Sequence, residues 1–135
     1  MDGMRLFLDA NILVSGIVFK GNEHDLLLKS NKVNFITSED AIDETMRTIE
    51  KKLPEYTTLV VAFLNIIDLT IVKRKEYIKE LHKYDLVRDK NDRHILAAAT
   101  VSKSDYIVTG DKDLIVLKKY KNIDILKTQK MLSLI

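Results

Sequence analysis

The residues of this sequence best suited to chemistry are carboxylates placed just after apolar runs. Asp9 closes "RLFL" within "MRLFLDANILVSGIVF" (4–19), a stretch otherwise built like a buried strand leading into a buried helix, and Asn11 follows. Asp111 stands in the same relation to "YIVTG", and Asp89 and Asp92 open "DKNDRHILAAATVSKS". "SEDAIDET" adds Glu39, Asp40, Asp43 and Glu44. Carboxylates in such number, without thiolates and without histidines at ligand spacing, form an oxygen-donor set for a hard divalent cation, Mg²⁺ or Mn²⁺. Two such ions can position and activate a water while stabilising the leaving oxygen of a phosphodiester.

Composition narrows the setting. With 135 residues, 46% of them hydrophobic and 31% charged, the chain suits one soluble globular domain over 1–135 with a sizeable core. Its 22 Lys and Arg nearly balance its 20 Asp and Glu, so the net charge of +2 does not by itself draw in a nucleic acid backbone, and partners must be read from local charge. The absence of cysteine excludes disulfides and thiolate metal sites and fits a reducing compartment. Asp2, Arg5 and Asp9 interrupt any signal-peptide core, and no apolar run approaches the ~18 residues of a membrane span. The expectation is a cytoplasmic protein without a membrane segment.

To converge, the acids need elements that carry them to one place. "RLFL" predicts a strand and "ANILVSGIVF" a helix, weakened by Gly16. "HDLLLKS" is a second helical piece, and "VNFIT" (33–37) is rich in β-branched and aromatic residues, as strands are. "SEDAIDETMRTIEKKL" puts Ile42, Met46, Ile49 and Leu53 on one helical stripe, with Thr37 and Asp40 in capping-box register. The only proline, Pro54, suits the first turn of "PEYTTLVVAFLNII", a helix apolar almost all round from Leu59 that should be buried or cover a partner. "LTIV" (69–72) predicts a third strand, "KEYIKELHKYDLV" an amphipathic helix and "DKNDRHILAAATVSKS" another. "DYIVTGDKD" supplies a fourth strand with a Gly turn, "KDLIVLKKY" a helix, "IDIL" a fifth strand and "TQKMLSLI" a closing helix.

Strands separated by helices require right-handed crossovers. The expected architecture is therefore an α/β three-layer sandwich around a central parallel sheet of about five strands. In such sheets ligands collect beyond the carboxyl ends of the strands. Asp9 and Asp111 follow strands, Asp89 and Asp92 open the helix leading into the fourth strand, and the "SEDAIDET" acids follow the second. All should reach one edge.

With these pieces in place the chain resembles the PIN-domain nucleases, including the VapC-type toxins of toxin–antitoxin pairs. The resemblance covers nearly the whole chain and rests on "FLDANIL", "SEDAIDET", "DKNDRHILAAA" and "VTGDKDL", in that order and each in the expected context. Carried over residue by residue, it implies an acidic quartet of Asp9, Glu44, Asp92 and Asp111 as catalytic metal ligands for Mg²⁺ or Mn²⁺. The same resemblance implies endoribonuclease activity leaving a 5′-phosphate and a 3′-hydroxyl, an RNA substrate, a homodimer and, for a toxin, an antitoxin partner. Asn11 would support the metal site, with Thr109, Asp89 and Asp113 as further groups that orient the ligands.

Each acid also has a purely structural role open to it. Asp9 suits the N-cap of the helix beginning at Ala10. Asp92 suits the third position of a capping box with Asp89, although it adjoins the apolar face through Ile95 and Leu96. Of Asp111 and Asp113, the latter is the better-placed cap, just before Leu114. Periodicity places Glu44 away from the Ile42, Met46, Ile49 stripe and so in solvent, and only the family register singles it out among its acidic neighbours. Asn11 could serve within its own helical turn, and Thr109 could be an ordinary strand-end residue. His24, His82 and His94 show no ligand spacing and receive no role. The runs "KRK" (73–75) and "KKYK" (118–121) suit solvated helix ends, whereas Lys90, Arg93 and Lys112 flank the acids and could hold RNA phosphates.

Two rival readings follow. The first is a catalytically inactive PIN-fold module that binds RNA or protein, its acids too far apart to retain a metal. The second, a phosphoacceptor receiver domain, fits worse, because the acceptor Asp expected after the third strand is replaced by "VKRK".

Overall fold

Leu6, Phe7 and Leu8 are all buried, so the first strand has to be covered on both faces, and this requirement organises the molecule. The computed structural model describes residues 3–84 and 89–135, with backbone only at His82 and Tyr84. Its strands are β1 (Arg5–Leu8), β2 (Asn34–Ser38), β3 (Leu69–Val72), β4 (Tyr106–Val108), β5 (Lys119–Tyr120) and β6 (Ile123–Leu126). They form one six-stranded sheet in the order β3-β2-β1-β4-β6-β5. All pairings are parallel except that of β5 with β6.

Side chains alternate across the sheet and so feed two cores. Leu6, Leu8, Phe35 and Val108 point to one face, against α1 (Ala10–Val18), α2 (Asn22–Leu27), α3 (Glu39–Lys52), α4 (Thr57–Ile66) and α8 (Thr128–Leu132). Phe7, Ile36, Val72 and Ile107 point to the other, against α5 (Arg74–Tyr77), α6 (Lys90–Val101) and α7 (Lys112–Ile115). This is the expected three-layer α/β sandwich. No helix among the described residues is long and apolar enough to cross a membrane.

Several local expectations are corrected. The segment predicted as one helix over "KDLIVLKKY" ends at Ile115, and Lys118, in the left-handed region at φ 60°, turns the chain into β5. That edge strand is the one beyond the five expected. The segment "KEYIKELHKYDLV" forms the short α5 and then a 3₁₀ turn over Ile78–Tyr84, and its last residues lie outside the described ones. Pro54 opens a 3₁₀ turn, Pro54–Tyr56, that leads into α4. The capping box does not form: Ser38 caps α3 by accepting from Ala41 N, while Thr37 Oγ1 donates to Leu8 O across the sheet at 2.8 Å. Gly16 serves a close approach, since a Cβ there would stand 3.0 Å from Glu23 O of α2. On α4 only Val60 is buried, and Leu59, Val61 and Ile66 remain exposed, Ile66 at 81%. In the closing segment Met131 is buried in the first core, so that tail offers less free apolar surface than its composition suggests.

Candidate metal centre

Strand order decides where the acids meet. The chain moves outward from β1 through β2 to β3, then returns to the other side of β1 to lay down β4, so the crossovers leave β1 and β4 in opposite directions. A crevice opens at such a switch point, beyond the carboxyl ends of the two strands. Phe7 aligns with Ile107 and Leu8 with Val108, so Asp9 and Thr109 emerge side by side.

Asp9 is 4% exposed and does two things at once. Its Oδ1 accepts from Ile12 N at 3.1 Å, capping α1, while its Oδ2 accepts from Thr109 Oγ1. The cap and the approach to the crevice are compatible because a carboxylate has two oxygens. Thr109 Oγ1 in turn accepts from Asp111 N at 3.0 Å, which ties the start of α7 to Asp9. Burial pushes the Asp9 carboxyl up to about 6, against the hydrogen bonds from Thr109 and Ile12, with Glu44 and Asp111 adding repulsion.

Asp92 lies on the first turn of α6, 2% exposed, and its Oδ2 is buried with no hydrogen-bond partner among the described residues. The cap of α6 is Asp89, whose Oδ1 accepts from Asn91 N at 2.8 Å. Burial first, and then Asp111 beside it, pushes the Asp92 carboxyl up to about 8, with Asp89 and Asp113 contributing. Carboxylate oxygens of Asp92, Asp111 and Asp113 all lie within 4.8 Å of one another. Here the assignment of Asp113 as cap is corrected: Asp111 caps α7 by accepting from Asp113 N at 2.8 Å, and Asp113 stands in the first turn as a member of the acidic cluster.

The four acids in the first two turns of α3 have different surroundings. Asp40 Oδ2 accepts from Tyr77 Oη at 2.6 Å and lies 2.8 Å from His94 Nδ1, an ion-pair distance without hydrogen-bond alignment. Glu39 Oε1 accepts from Arg74 N at 2.6 Å, and Asp43 is exposed. Among the described residues Glu44 has no such partner, and it is half-buried rather than solvated, lining a cavity of about 90 Å³ with Asn91 and His94. Its contribution to the raised Asp9 carboxyl puts its charge toward the crevice. Sequence reasoning passed over His94 because its contacts, Asp40 and Tyr77, come from distant α3 and α5 and leave no local signal.

Asn11 and Lys90 are exposed near the starts of α1 and α6, and Lys112 is exposed at the start of α7. Arg93, one turn along α6 beside Asp92, is half-buried. A buried oxygen without a partner, next to two further carboxylates, is a donor set that suits a hard divalent cation.

The fold and the cluster define an α/β protein with a mostly parallel sheet and acids gathered at its switch point. The chain belongs to the PIN domain family, whose sequence model matches residues 5–113. No curated protein sequence gives a significant match. Among solved structures, the chain is similar to Mycobacterium tuberculosis VapC20, described as a sarcin-ricin loop cleaving toxin. The identity is 12% and the TM-score 0.65, over 88% of this chain and 98% of that one. It is also similar to VapBC2 from Rickettsia felis, solved bound to a DNA fragment from its promoter, at 21% identity and a TM-score of 0.61, covering 90% of this chain and 97% of the other. At these identities the likeness establishes the fold alone.

Proposed function

We propose that the protein is a Mg²⁺- or Mn²⁺-dependent endoribonuclease that hydrolyses RNA phosphodiester bonds, with Asp9, Glu44, Asp92 and Asp111 as its working carboxylates. The observation that carries this reading is the buried, unpartnered Oδ2 of Asp92 beside Asp111 and Asp113 at the β1–β4 switch point. When bound, a divalent cation supplies charge neutralisation at the phosphate and activation of the attacking water. Asp92 and Asp111 would hold it, Asp9 and Glu44 would complete the site, and Asp113 is close enough to share in it. Thr109 orients Asp9, Asp89 anchors the start of α6, and Asn11 flanks the opening. Lys90, Arg93 and Lys112 would align the phosphates, so that rate comes from orientation and electrostatics without a protein nucleophile.

The spacing within the cluster supports this over the inactive binding module, whose acids would stand too far apart. Likeness to a VapBC2 structure supports a toxin role with an antitoxin protein as partner, a functional step that rests on analogy. The exposed apolar face of α4 supports a homodimer, and the protein is proposed to act in the cytoplasm. The test is cleavage of single-stranded and structured RNA by purified protein with Mn²⁺, Mg²⁺ or EDTA, beside Asp92→Asn. Expected is cleavage with either cation and none with EDTA or the variant. Cleavage undiminished by EDTA would overturn the proposal.

A further inference from the structure

A second cavity, of about 310 Å³, is lined on one side by Asn11, Ile12 and Ser15 of α1. It lies between the α1–α2 hairpin and the start of α8, and Thr109 and Gly110 form the wall nearest the acids. Thr109 is the residue whose hydroxyl donates to Asp9 and accepts from Asp111 N, so the cavity directly adjoins the acidic cluster. Its volume is at the lower end for small-molecule sites, about 300–1,000 Å³, room for one flat heterocycle.

Its lining mixes apolar surface with amide groups. Asn11, Asn22 and Gln129, all exposed, line it, and none of their side-chain amides makes a hydrogen bond among the described residues. Thr128 lines it too, 4% exposed, and its buried Oγ1 has no partner among the described residues. The amides of the wall are left free to meet a ligand group. Charge says what kind. Glu23 belongs to the same wall and would repel a phosphate seated in the cavity, whereas its oxygens suit amino and imino donors. Lys127, at the start of the β6–α8 connection, is exposed and has no acidic partner among the described residues, so a phosphate would lie there.

We propose that this cavity is a nucleobase subsite, taking one unpaired base of the RNA strand next to the scissile phosphate through Asn11, Asn22, Glu23 and Gln129, with Lys127 on the adjoining phosphate. Sequence-selective RNA recognition works on splayed, single-stranded bases through their hydrogen-bonding edges, and amides with both a donor and an acceptor are suited to it. The site would set which base flanks the cut, while the acids set that a cut is made. This rests on the endoribonuclease reading for its biological sense, but base binding can be measured without cleavage.

The experiment has two arms. In the first, ¹⁵N-labelled protein in EDTA is titrated with the four nucleoside 5′-monophosphates and with ribose 5-phosphate, and the side-chain amide signals of Asn11, Asn22 and Gln129 are followed by NMR. Saturable shifts with at least one nucleotide, and none with ribose 5-phosphate, are expected; equal shifts with ribose 5-phosphate, or none with any nucleotide, overturn the proposal. In the second, cleavage sites are mapped on a randomised single-stranded RNA for wild type and for Asn22→Ala/Gln129→Ala. The double variant should lose base preference at the position flanking the cut and show a KM about tenfold higher with kcat retained. Its Mn²⁺-induced thermal shift should stay intact, which separates loss of the subsite from damage to the fold. Unchanged base preference and KM overturn the subsite and leave the nuclease reading standing. Nucleotide-induced shifts without any RNA cleavage retain the subsite and reject the nuclease reading.

Discussion

Replacing Asp9 with Asn separates a helix cap from a cation ligand. In the metal-free protein the Asp9 carboxyl, pushed up to about 6 from 3.8, is held ionised at neutral pH against burial. A shift of about two units at about 1.36 kcal/mol each is a penalty of about 3 kcal/mol. Asn keeps the acceptor that caps α1 through Ile12 N but carries no charge. Its amide meets Thr109 Oγ1 less well than the carboxylate does, so the net gain should be about 1–3 kcal/mol in EDTA at pH 7.5. For a domain of this size that is a rise of about 5–10 °C in Tm. The gain must depend on pH with a definite sign. The folded-state pKa is raised, so the wild-type penalty is absent below the unfolded value near 3.8 and grows as pH rises through about 6. The advantage of Asn should therefore shrink toward zero at pH 4. Mn²⁺ at about 100 times its dissociation constant should stabilise wild type by about 2.7 kcal/mol and the variant by much less. Thermal melts by circular dichroism at both pH values, with EDTA and with Mn²⁺, read all four quantities. Equal Mn²⁺ shifts in the two proteins, or a variant less stable than wild type in EDTA at pH 7.5, would refute the assignment of Asp9 as a ligand.

Other consequences of the structure are testable more simply. Gly16→Ala puts a Cβ 3.0 Å from Glu23 O and 2.5 Å from Leu27 Cδ1, and should cost about 1–3 kcal/mol of stability by urea unfolding; an unchanged midpoint would mean that α1 and α2 separate freely. Tyr77→Phe removes the hydroxyl that donates to Asp40 at 2.6 Å while His94 and Arg74 stay beside that carboxylate, so a loss of about 1 kcal/mol is expected, and none at all would show that the bond contributes nothing. Ile66→Glu, at the most exposed apolar side chain of α4, should convert a micromolar dimer to monomer by light scattering, and a wild-type monomer under those conditions contradicts the proposed assembly.

What the sequence determined by itself was what depends on short-range pattern. Alternating apolar runs and helical stripes announced the layers, and the need for crossovers between "RLFL", "VNFIT", "LTIV" and "YIVTG" made the sheet parallel, because burial on two faces leaves few other arrangements. The same patterns placed Asp9 and Asp111 at strand ends and Asp92 on the first turn of a helix. Tertiary structure decided what depends on which strands become neighbours. Only the β1–β4 pairing brings Thr109 to Asp9, and only the packing of α6 over the second core buries Asp92 Oδ2 without a partner. Glu44 stands apart from Asp40 because Tyr77 and His94, brought in from α5 and α6, occupy Asp40 and leave Glu44 toward the crevice. Caps were misjudged where two nearby residues could each serve, Thr37 or Ser38 and Asp111 or Asp113; Ser38 caps α3 because β2 pairs with β3 through Ser38 and the helix starts directly after it, and Asp111 caps α7 because the helix starts at Lys112. Local propensity governs the type of an element, whereas the energies of buried charge and of cross-strand contact arise only after residues far apart in sequence have met.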